Sequence, residues 1–303
     1  MKTRSAKAIA RFVPSVNFTW RRAVRGYHWI DAEGVRRLVP IDAIQPDWNS
    51  SPERYVSEYR PLAERSGLFW EFAALDPTED AIRQFADKFG LLGANPQFNL
   101  IPKQARLQPE SFELWKREIE DLRQAVVAWR LVVSGERKAL EKLKRKLARP
   151  DAPLAIQRHL HVNEKDPAMF FLGAIQRATD PRLQQEVLSR LVFAGSKPRL
   201  NVIMEPQSLL GTLWLQFAAA VDAGKSFAKC PRCGVPFEVS RDPSGKRRSA
   251  RFCSDRCRVA HYRGRIDRAR QLKREGAPLR EIARELNTRI ATLRNWLADE
   301  HPA

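Results

Sequence analysis

The sequence predicts a mainly α-helical chain of the α+β class, with an N-terminal β-hairpin and helical domain followed by two small C-terminal domains. Three observations predict this organisation. Residues 109–135 repeat apolar side chains at alternating spacings of three and four, which is typical of a helix. All four cysteines of the 303-residue chain fall within 28 positions, from Cys230 to Cys257. Two short amphipathic segments joined at Asn287 follow them.

The first 50 residues are predicted to be extended. The segments VNFTWRRAV and YHWIDAEGVRRLVPI are rich in β-branched and aromatic residues, which favour strands. Within the second segment, Asp31-Ala32-Glu33-Gly34 has the composition of a hairpin turn. A β-hairpin centred on this turn is therefore expected.

A helix ending at Gly90 is predicted next. Asp76 is a suitable N-cap, Pro77 suits the first helical position, and Glu79 completes a capping box. Four apolar side chains then form one helical stripe: Ile82, Phe85, Ala86 and Phe89. Gly90 ends the pattern, as glycine does at many helix C-termini.

The longest predicted helix follows Pro109. Its apolar side chains form a heptad-like seam: Phe112, Trp115, Ile119, Leu122, Val126, Trp129 and Val133. The seam suits either a dimer interface or a helix packed inside its own domain, and its short length favours the second interpretation. After Gly135, the segment GERKALEKLKRKLARP predicts an exposed charged helix. Its lysines could contact nucleic acid, but a solvated face is the favoured interpretation.

Residues 149–166 contain proline and turn-forming residues and predict a loop or linker. His159 and His161 lie there two positions apart, and a metal site would need further ligands that the sequence does not identify. Helical segments are predicted over residues 167–193, then a strand over RLNVIMEP and a buried helix from Gln207 to about Ala223.

No membrane-spanning or secretory segment is predicted. The apolar run LLGTLWLQFAAAV is shorter than the roughly 20 residues that cross a bilayer. The N-terminal residues are basic but lack the apolar run of a signal peptide. A cytoplasmic protein is expected, and a reducing compartment argues against disulfides.

The cysteine spacing predicts a zinc site. Cys230 and Cys233 are separated by two residues, Cys253 and Cys257 by three, and 19 residues lie between the pairs. Two such pairs fit a closed tetrahedral site for one structural Zn²⁺, which leaves no open position for catalysis. A disulfide or redox switch is the alternative. His261, one helical turn after Cys257, either replaces a thiolate or packs beside the site.

The surroundings of the cysteines predict how the site folds. CPRCG forms a tight knuckle in which Gly234 takes a left-handed backbone conformation. VPFEVS and RSARF are predicted to be two strands joined by the turn Asp242-Pro243-Ser244-Gly245. Ser254 then caps a helix whose first turn carries Cys257. This order of knuckle, hairpin and helix is the treble-clef arrangement, and FCSDRCR resembles the FCS/YCS-type treble-clef zinc fingers of many bacterial proteins.

The charge of the chain predicts an anionic partner. The formal net charge is +19 and the isoelectric point about 10.4. Between Arg241 and Arg274 there are 13 Lys and Arg against 3 Asp and Glu. Phosphate contacts are therefore predicted from the hairpin at Arg247 and Arg248, and from one side of the following helix, and a solvated basic face is the alternative. The residues on that side, the arginine row, are Arg256, Arg263, Arg270 and Arg274.

The segment APLREIARELNTRIATLRNWLADE predicts two helices that pack together. Pro278 begins the first, Ile282 and Leu286 point inward, Ala283 lies at the helix crossing, and Asn287 suits the turn. Thr288 is a candidate cap for the second helix, and Leu293 and Trp296 complete the core. The pattern resembles the helix-turn-helix of resolvases and invertases, which implies a second helix in the major groove of DNA. The predicted contacts are Thr288, Arg289, Thr292, Arg294 and Asn295. A three-helix bundle used for protein contact is the alternative.

The predicted domains are residues 1–224, of unknown function, a four-cysteine treble-clef finger over 225–265, and a helix-turn-helix over 266–303. The N-terminal part resembles an uncharacterised bacterial domain that accompanies such fingers, which implies no activity. The leading hypothesis is a zinc-containing, DNA-binding transcription regulator that acts as a homodimer or in a larger nucleoprotein assembly. The alternative is an adapter that binds nucleic acid without sequence preference in phage defence or a mobile element. No catalytic motif is recognisable, and an enzyme is the least favoured hypothesis.

Overall fold

The chain divides into two compact units, an N-terminal unit of residues 1–226 and a C-terminal unit of residues 227–303. The computed structural model describes residues 13–14, 17–45, 54–65, 67–93, 109–147, 165–193, 200–234, 236–239 and 250–298. The chain is an α+β protein with more helix than strand. Among the described helices, none is both long enough and apolar enough to span a membrane.

The N-terminal unit contains helices and small sheets. Its strands are β1 (Val13–Pro14), β2 (Trp20–Ala23), β3 (Tyr27–Ala32), β4 (Val35–Pro40), β5 (Val56–Tyr59), β6 (Glu110–Ser111), β7 (Val187–Phe193) and β8 (Leu200–Pro206). Its helices are α1 (Pro61–Glu64), α2 (Leu68–Ala73), α3 (Glu79–Phe89), α4 (Phe112–Ser134), α5 (Arg137–Leu147), α6 (Pro167–Glu186) and α7 (Leu209–Asp222), and a 3₁₀ turn covers Ile41–Ile44. The described sheets have the orders β1-β8-β7, β2-β5 and β3-β4-β6.

The predicted N-terminal hairpin is confirmed. Strands β3 and β4 are antiparallel, with Trp29 opposite Leu38 and Ala32 opposite Val35. The two residues between them, Glu33 and Gly34, have φ angles of 54° and 73°. Both are positive, as a type I′ turn requires, and this turn matches the right-handed twist of the strands it joins.

Helix α3 begins two residues later than the sequence predicts. The cap is Thr78 and not Asp76, because the Thr78 amide donates to the Asp76 carbonyl at 2.8 Å and the chain turns there before it becomes helical. The predicted stripe is buried, from Ile82 to Phe89, and Gly90 ends the helix with a φ of 89°. A Cβ on Gly90 would lie 2.3 Å from the Arg21 carbonyl oxygen, so no other residue fits there without a shift.

Helix α4 is a core helix of its own unit. Trp115, Ile119 and Leu122 are fully buried, and the ring of Trp115 lies 6.0 Å from that of Phe72 on α2. The seam is therefore used inside the N-terminal unit, as the favoured interpretation predicts. Gly135 ends the helix in the left-handed conformation, and the exposed charged helix α5 follows as predicted.

The helical prediction over residues 167–193 is wrong for its last seven residues. Helix α6 ends at Glu186, and Val187–Phe193 is strand β7, which pairs antiparallel with β8 so that Leu191 lies opposite Val202. The ladder with β8 satisfies backbone groups that a longer helix would have satisfied internally, so long-range pairing decides the structure here. Strand β8 and helix α7 occupy the predicted segments. Most of the predicted linker, with His159 and His161, lies outside the described residues.

The C-terminal unit has two small apolar cores. Its elements are β9 (Ser226–Lys229), β10 (Pro236–Val239), α8 (Asp255–Arg274), α9 (Leu279–Glu285) and α10 (Ile290–Ala298). One core surrounds the cysteines, with Phe237 and Val239 buried beside Cys230. The other lies among the three helices and consists of Ala269, Leu272, Ile282, Ala283, Leu293 and Trp296.

The strand pairing near the cysteines differs from the prediction. The predicted strand VPFEVS corresponds to β10, but β10 pairs with β9. The described end of RSARF, Ala250 to Phe252, is not a strand. Strand β9 is not predicted from the sequence, because SFAK is short and its partner lies across the knuckle. The turn predicted at residues 242–245 lies outside the described residues.

Candidate metal centre and basic surface

The knuckle that carries Cys230 and Cys233 lies between the paired strands β9 and β10. The Gly234 amide donates to the Cys230 carbonyl at 2.9 Å, which closes the turn. Gly234 has a φ of 73°, so the left-handed conformation predicted from the sequence is confirmed. The turn brings two cysteine side chains, separated by two residues, to one side of the strand pair.

The second pair of cysteines lies at the N-terminus of helix α8. The Ser254 hydroxyl accepts a hydrogen bond from the Cys257 amide at 3.2 Å, so the predicted cap is confirmed. The cap places Cys253 just before the helix and Cys257 in its first turn. Their sulfurs lie 3.5 Å apart.

The four sulfur atoms converge on one point. All of them lie within 4.8 Å of one another, and the Sγ atoms of Cys233 and Cys253 are 3.5 Å apart. Tetrahedral zinc with bonds of about 2.3 Å requires sulfurs about 3.8 Å apart, which falls within this range. A disulfide requires about 2.05 Å, and all four cysteines are free. The arrangement is therefore compatible with one metal ion bound by four thiolates.

The electrostatics of the cluster favour a cation at its centre. Burial raises the pKa of the Cys230 thiol, but backbone N–H groups of Cys253, Cys233 and Arg232 donate to its sulfur and lower it to about 6. Burial and hydrogen bonds with the neighbouring thiols raise the pKa of Cys253 to about 12. Cys230 therefore ionises more readily than Cys253, because burial and the hydrogen bonds with neighbouring thiols favour the neutral form of Cys253. A bound dication would favour the thiolate form of its ligands and oppose the effect of burial.

His261 packs beside the cluster. Its ring lies 5.0 Å from that of Phe252, and the metal-ligating group that the described residues form consists of the four cysteines alone. The alternative in which His261 replaces a thiolate therefore has no support in the geometry.

One unbroken helix joins the cysteine cluster to the three-helix core. Helix α8 begins after its cap Ser254, passes through Gly264 and ends at Arg274. Cys257 lies in its first turn, and Ala269 and Leu272 in its last turns are buried in the three-helix core. The helix thus continues across positions 265 and 266, between the two predicted C-terminal domains.

The turn between α9 and α10 is held by its backbone and by an arginine of α8. Asn287 has a φ of 44°, and the Thr288 amide donates to the Ala283 carbonyl at 2.9 Å. Arg265 donates from Nη2 to the Leu286 carbonyl at 2.6 Å, and its guanidinium lies 5.1 Å from the Trp296 ring centre. This arginine therefore stabilises the fold, a role that the basic composition of the segment conceals.

A second contact from α8 also holds α10. The Trp296 Nε1 donates to the Tyr262 hydroxyl at 2.8 Å, and the two rings meet edge to face. Arg268 forms an ion pair with Glu285 of α9 at 3.0 Å. The three helices are thus joined by polar contacts around their apolar core.

The residues predicted to contact nucleic acid fall into three groups. Six are exposed: Arg256, Arg263, Arg274, Arg289, Arg294 and Asn295. Three are half-buried: Arg270, Thr288 and Thr292. Arg247 and Arg248 lie outside the described residues. On α10, Leu293 and Trp296 are buried, so Arg294 and Asn295 are directed to the opposite side.

Comparison with known proteins does not identify this site. No family model matches the chain, and no curated protein or solved structure shows significant similarity to it. The resemblances of the finger and of the last two helices therefore remain interpretations of the residues.

Proposed function

We propose that this chain is a zinc-containing, DNA-binding regulator in which a treble-clef finger and a helix-turn-helix share helix α8. The observation that carries the proposal is the exposed side of α10. Buried Leu293 and Trp296 fix the rotation of this helix and leave Arg294 and Asn295 in solvent. Arginine pairs with two acceptors of guanine and asparagine with the edge of adenine, so this side suits the major groove.

The rest of the C-terminal unit supports the same function. The positive φ of Asn287 gives the turn between α9 and α10 a form compatible with a helix-turn-helix. Exposed Arg256, Arg263 and Arg274 carry charge along α8, where they would neutralise phosphates. A four-cysteine zinc site would stabilise a unit whose apolar cores are too small to do so alone.

A second candidate function is binding of nucleic acid without sequence preference. The arginine row favours it, because phosphate contacts position a protein but carry no sequence information. In this case α10 would contribute charge and no base contacts. The chain would then act as an adapter within a larger nucleoprotein assembly.

Selection from a random duplex library at near-physiological salt distinguishes the two functions. A regulator enriches a sequence motif, and Arg294→Ala weakens binding to that motif by about 1–3 kcal/mol. Arg280→Ala, which removes an exposed arginine from α9, is the control with the same charge change. Enrichment without a motif would support the adapter. No binding to DNA or RNA at low salt would exclude both.

A further inference from the structure

We propose that the N-terminal unit carries a second surface for nucleic-acid phosphates, on the exposed side of helix α5. This surface, the α5 basic face, consists of Lys138, Lys142 and Arg145. The proposed function places every contact in the C-terminal unit, so this site lies beyond it. The inference rests on the proposed function only for the chemistry of the ligand, a phosphate polyanion.

The charge of α5 is almost entirely positive. The helix RKALEKLKRKL contains six basic residues and one acidic residue. The acid, Glu141, forms an ion pair with Arg137 at 3.4 Å. The helix therefore presents a large excess of cations over the carboxylate it carries itself.

Packing determines which of these side chains face solvent. Leu140 is only 2% exposed and turns one side of α5 towards the protein core. Lys144 lies on that side, with its ammonium 4.7 Å from the ring centre of Phe170. Lys138, Lys142 and Arg145 are spaced by four and three residues, so they share the opposite side of the helix, and all three are exposed. They form a row about 10 Å long, at 1.5 Å per residue.

The α5 basic face places three cations without an acidic partner side by side on one helix. Four arginines elsewhere in the unit pair with carboxylates: Arg21 with Glu58, Arg36 with Glu79, Arg83 with Asp87, and Arg190 with Glu205. Exposed Arg65 and Arg130, which have no ion pair with the residues described, instead lie against the aromatic rings of Phe89 and Trp70. Within the ranges that the structure describes, the three residues of the α5 basic face have no ion pair. A surface that leaves three neighbouring cations unpaired is complementary to an anionic partner.

Two features favour nucleic acid over a membrane surface. An interfacial helix inserts an apolar side into the bilayer, but the apolar side of α5 is already buried through Leu140. A row of cations about 10 Å long spans about three phosphates of one DNA strand, which follow one another every 3.4 Å along the axis. The α5 basic face therefore adds phosphate contacts without sequence preference.

The test compares two triple variants of the full-length protein. The first combines Lys138→Ala, Lys142→Ala and Arg145→Ala, and the control combines Arg83→Ala, Lys116→Ala and Arg190→Ala. Both remove three positive charges, but those of the control are paired with acids. Alanine is the best helix former, so α5 should stay folded, and circular dichroism checks this. Binding to a duplex of about 20 base pairs is measured across a salt series.

We expect the first variant to bind at least about tenfold more weakly at 0.1 M salt, with a log–log salt slope smaller by about 2–3. The control should change affinity by less than about threefold, because its cations are already neutralised. Equal slopes for wild type and the first variant would overturn the inference and leave the proposed function intact. Loss in the first variant, with no motif in the library selection, would support the inference and exclude the sequence-specific regulator. The first variant is also tested with vesicles of phosphatidylserine and phosphatidylcholine. If it loses binding to these vesicles while its DNA binding is unchanged, the face binds membranes and the proposal is overturned.

Discussion

Arginine has opposite environments in the two units. In the N-terminal unit, Arg182 of α6 is largely buried and donates to Glu118 at 3.0 Å and to Asp121, both on α4. Its guanidinium also lies 4.8 Å from the ring centre of Trp214 on α7. In the C-terminal unit, Arg256, Arg263 and Arg274 are exposed and have no ion pair with the residues described. Arg182 thus joins three helices of the N-terminal unit, whereas these three arginines of the C-terminal unit face solvent and it is Arg265 that takes a comparable joining role there.

This difference indicates that the two units are stabilised by different interactions. Burial raises the pKa of Asp121, and the charge of Arg182 opposes that shift by favouring the carboxylate. Each charged member of the buried cluster thus depends on the others for its partner. The C-terminal unit has small apolar cores and keeps most of its described arginines at the surface. A metal ion held by the four cysteines would add to the stability of these small cores.

Metal removal should have the largest effect, and only on the C-terminal unit. Structural zinc contributes about 10–16 kcal/mol of apparent binding energy in small domains, so a chelator or Cys230→Ser should unfold the finger. Elemental analysis should find one zinc per chain in the wild type. Thermal melting of the metal-free protein or of Cys230→Ser should no longer show the unfolding transition of the C-terminal unit, while that of the N-terminal unit remains.

His261→Ala is the control for this experiment. His261 contacts Phe252 and stands outside the cysteine cluster, so this variant should retain its zinc. A metal-free wild type, or one melting transition for the whole chain, would contradict the contrast between the units.

Arg182→Ala should have the next largest effect, on the N-terminal unit alone. The change leaves Glu118 and Asp121 buried without their shared partner, which costs about 3–5 kcal/mol in comparable sites. Urea unfolding should show this loss in the N-terminal transition. Arg190→Ala removes an arginine that is 61% exposed, and we expect it to cost less than about 1 kcal/mol. Equal losses of unfolding free energy in the two variants would mean that burial of the cluster does not determine the size of the effect.

Arg265→Ala should lower the stability of the C-terminal unit by a smaller amount. It separates the two roles of arginine on helix α8, contact with the fold and exposure to solvent. Loss of its hydrogen bond to the Leu286 carbonyl and of its contact with Trp296 should cost the C-terminal unit about 1–2 kcal/mol. Arg263→Ala, two residues away and exposed, should leave the melting temperature unchanged and weaken nucleic-acid binding. If Arg263→Ala destabilised the unit instead, the arginine row would have a role in the fold.

Local signals in the sequence were enough to predict the parts of the structure that depend on neighbouring residues. The cysteine spacing, the Ser254 cap, the helix ends at Gly90 and Gly135, and the turn at Glu33-Gly34 each involve a few consecutive residues. Such features follow from backbone preferences and metal-ligand spacing, which a single sequence displays directly.

Features that depend on distant partners could not be predicted. Strand β7 forms because it pairs with β8, although the sequence predicts helix through the same residues. The buried contact between Arg182 and Asp121 joins residues 61 positions apart. Arg265 looks like one more arginine in a basic segment, and only the position of the α9–α10 turn reveals its contact with Leu286. In each case the deciding information lies in tertiary proximity, which periodicity and spacing do not report.

Because α8 is continuous, it restricts insertions and deletions between the cysteine cluster and the three-helix core. Cys257 and Ala269 lie on one rigid helix, so twelve residues set both their separation and their relative rotation. An inserted residue would advance everything beyond it by about 1.5 Å and turn it by about 100° about the helix axis. The cysteine cluster and the three-helix core therefore keep a fixed relative rotation about the axis of α8. Length changes in this interval are tolerable only in near-whole turns, whereas a flexible linker would accept any.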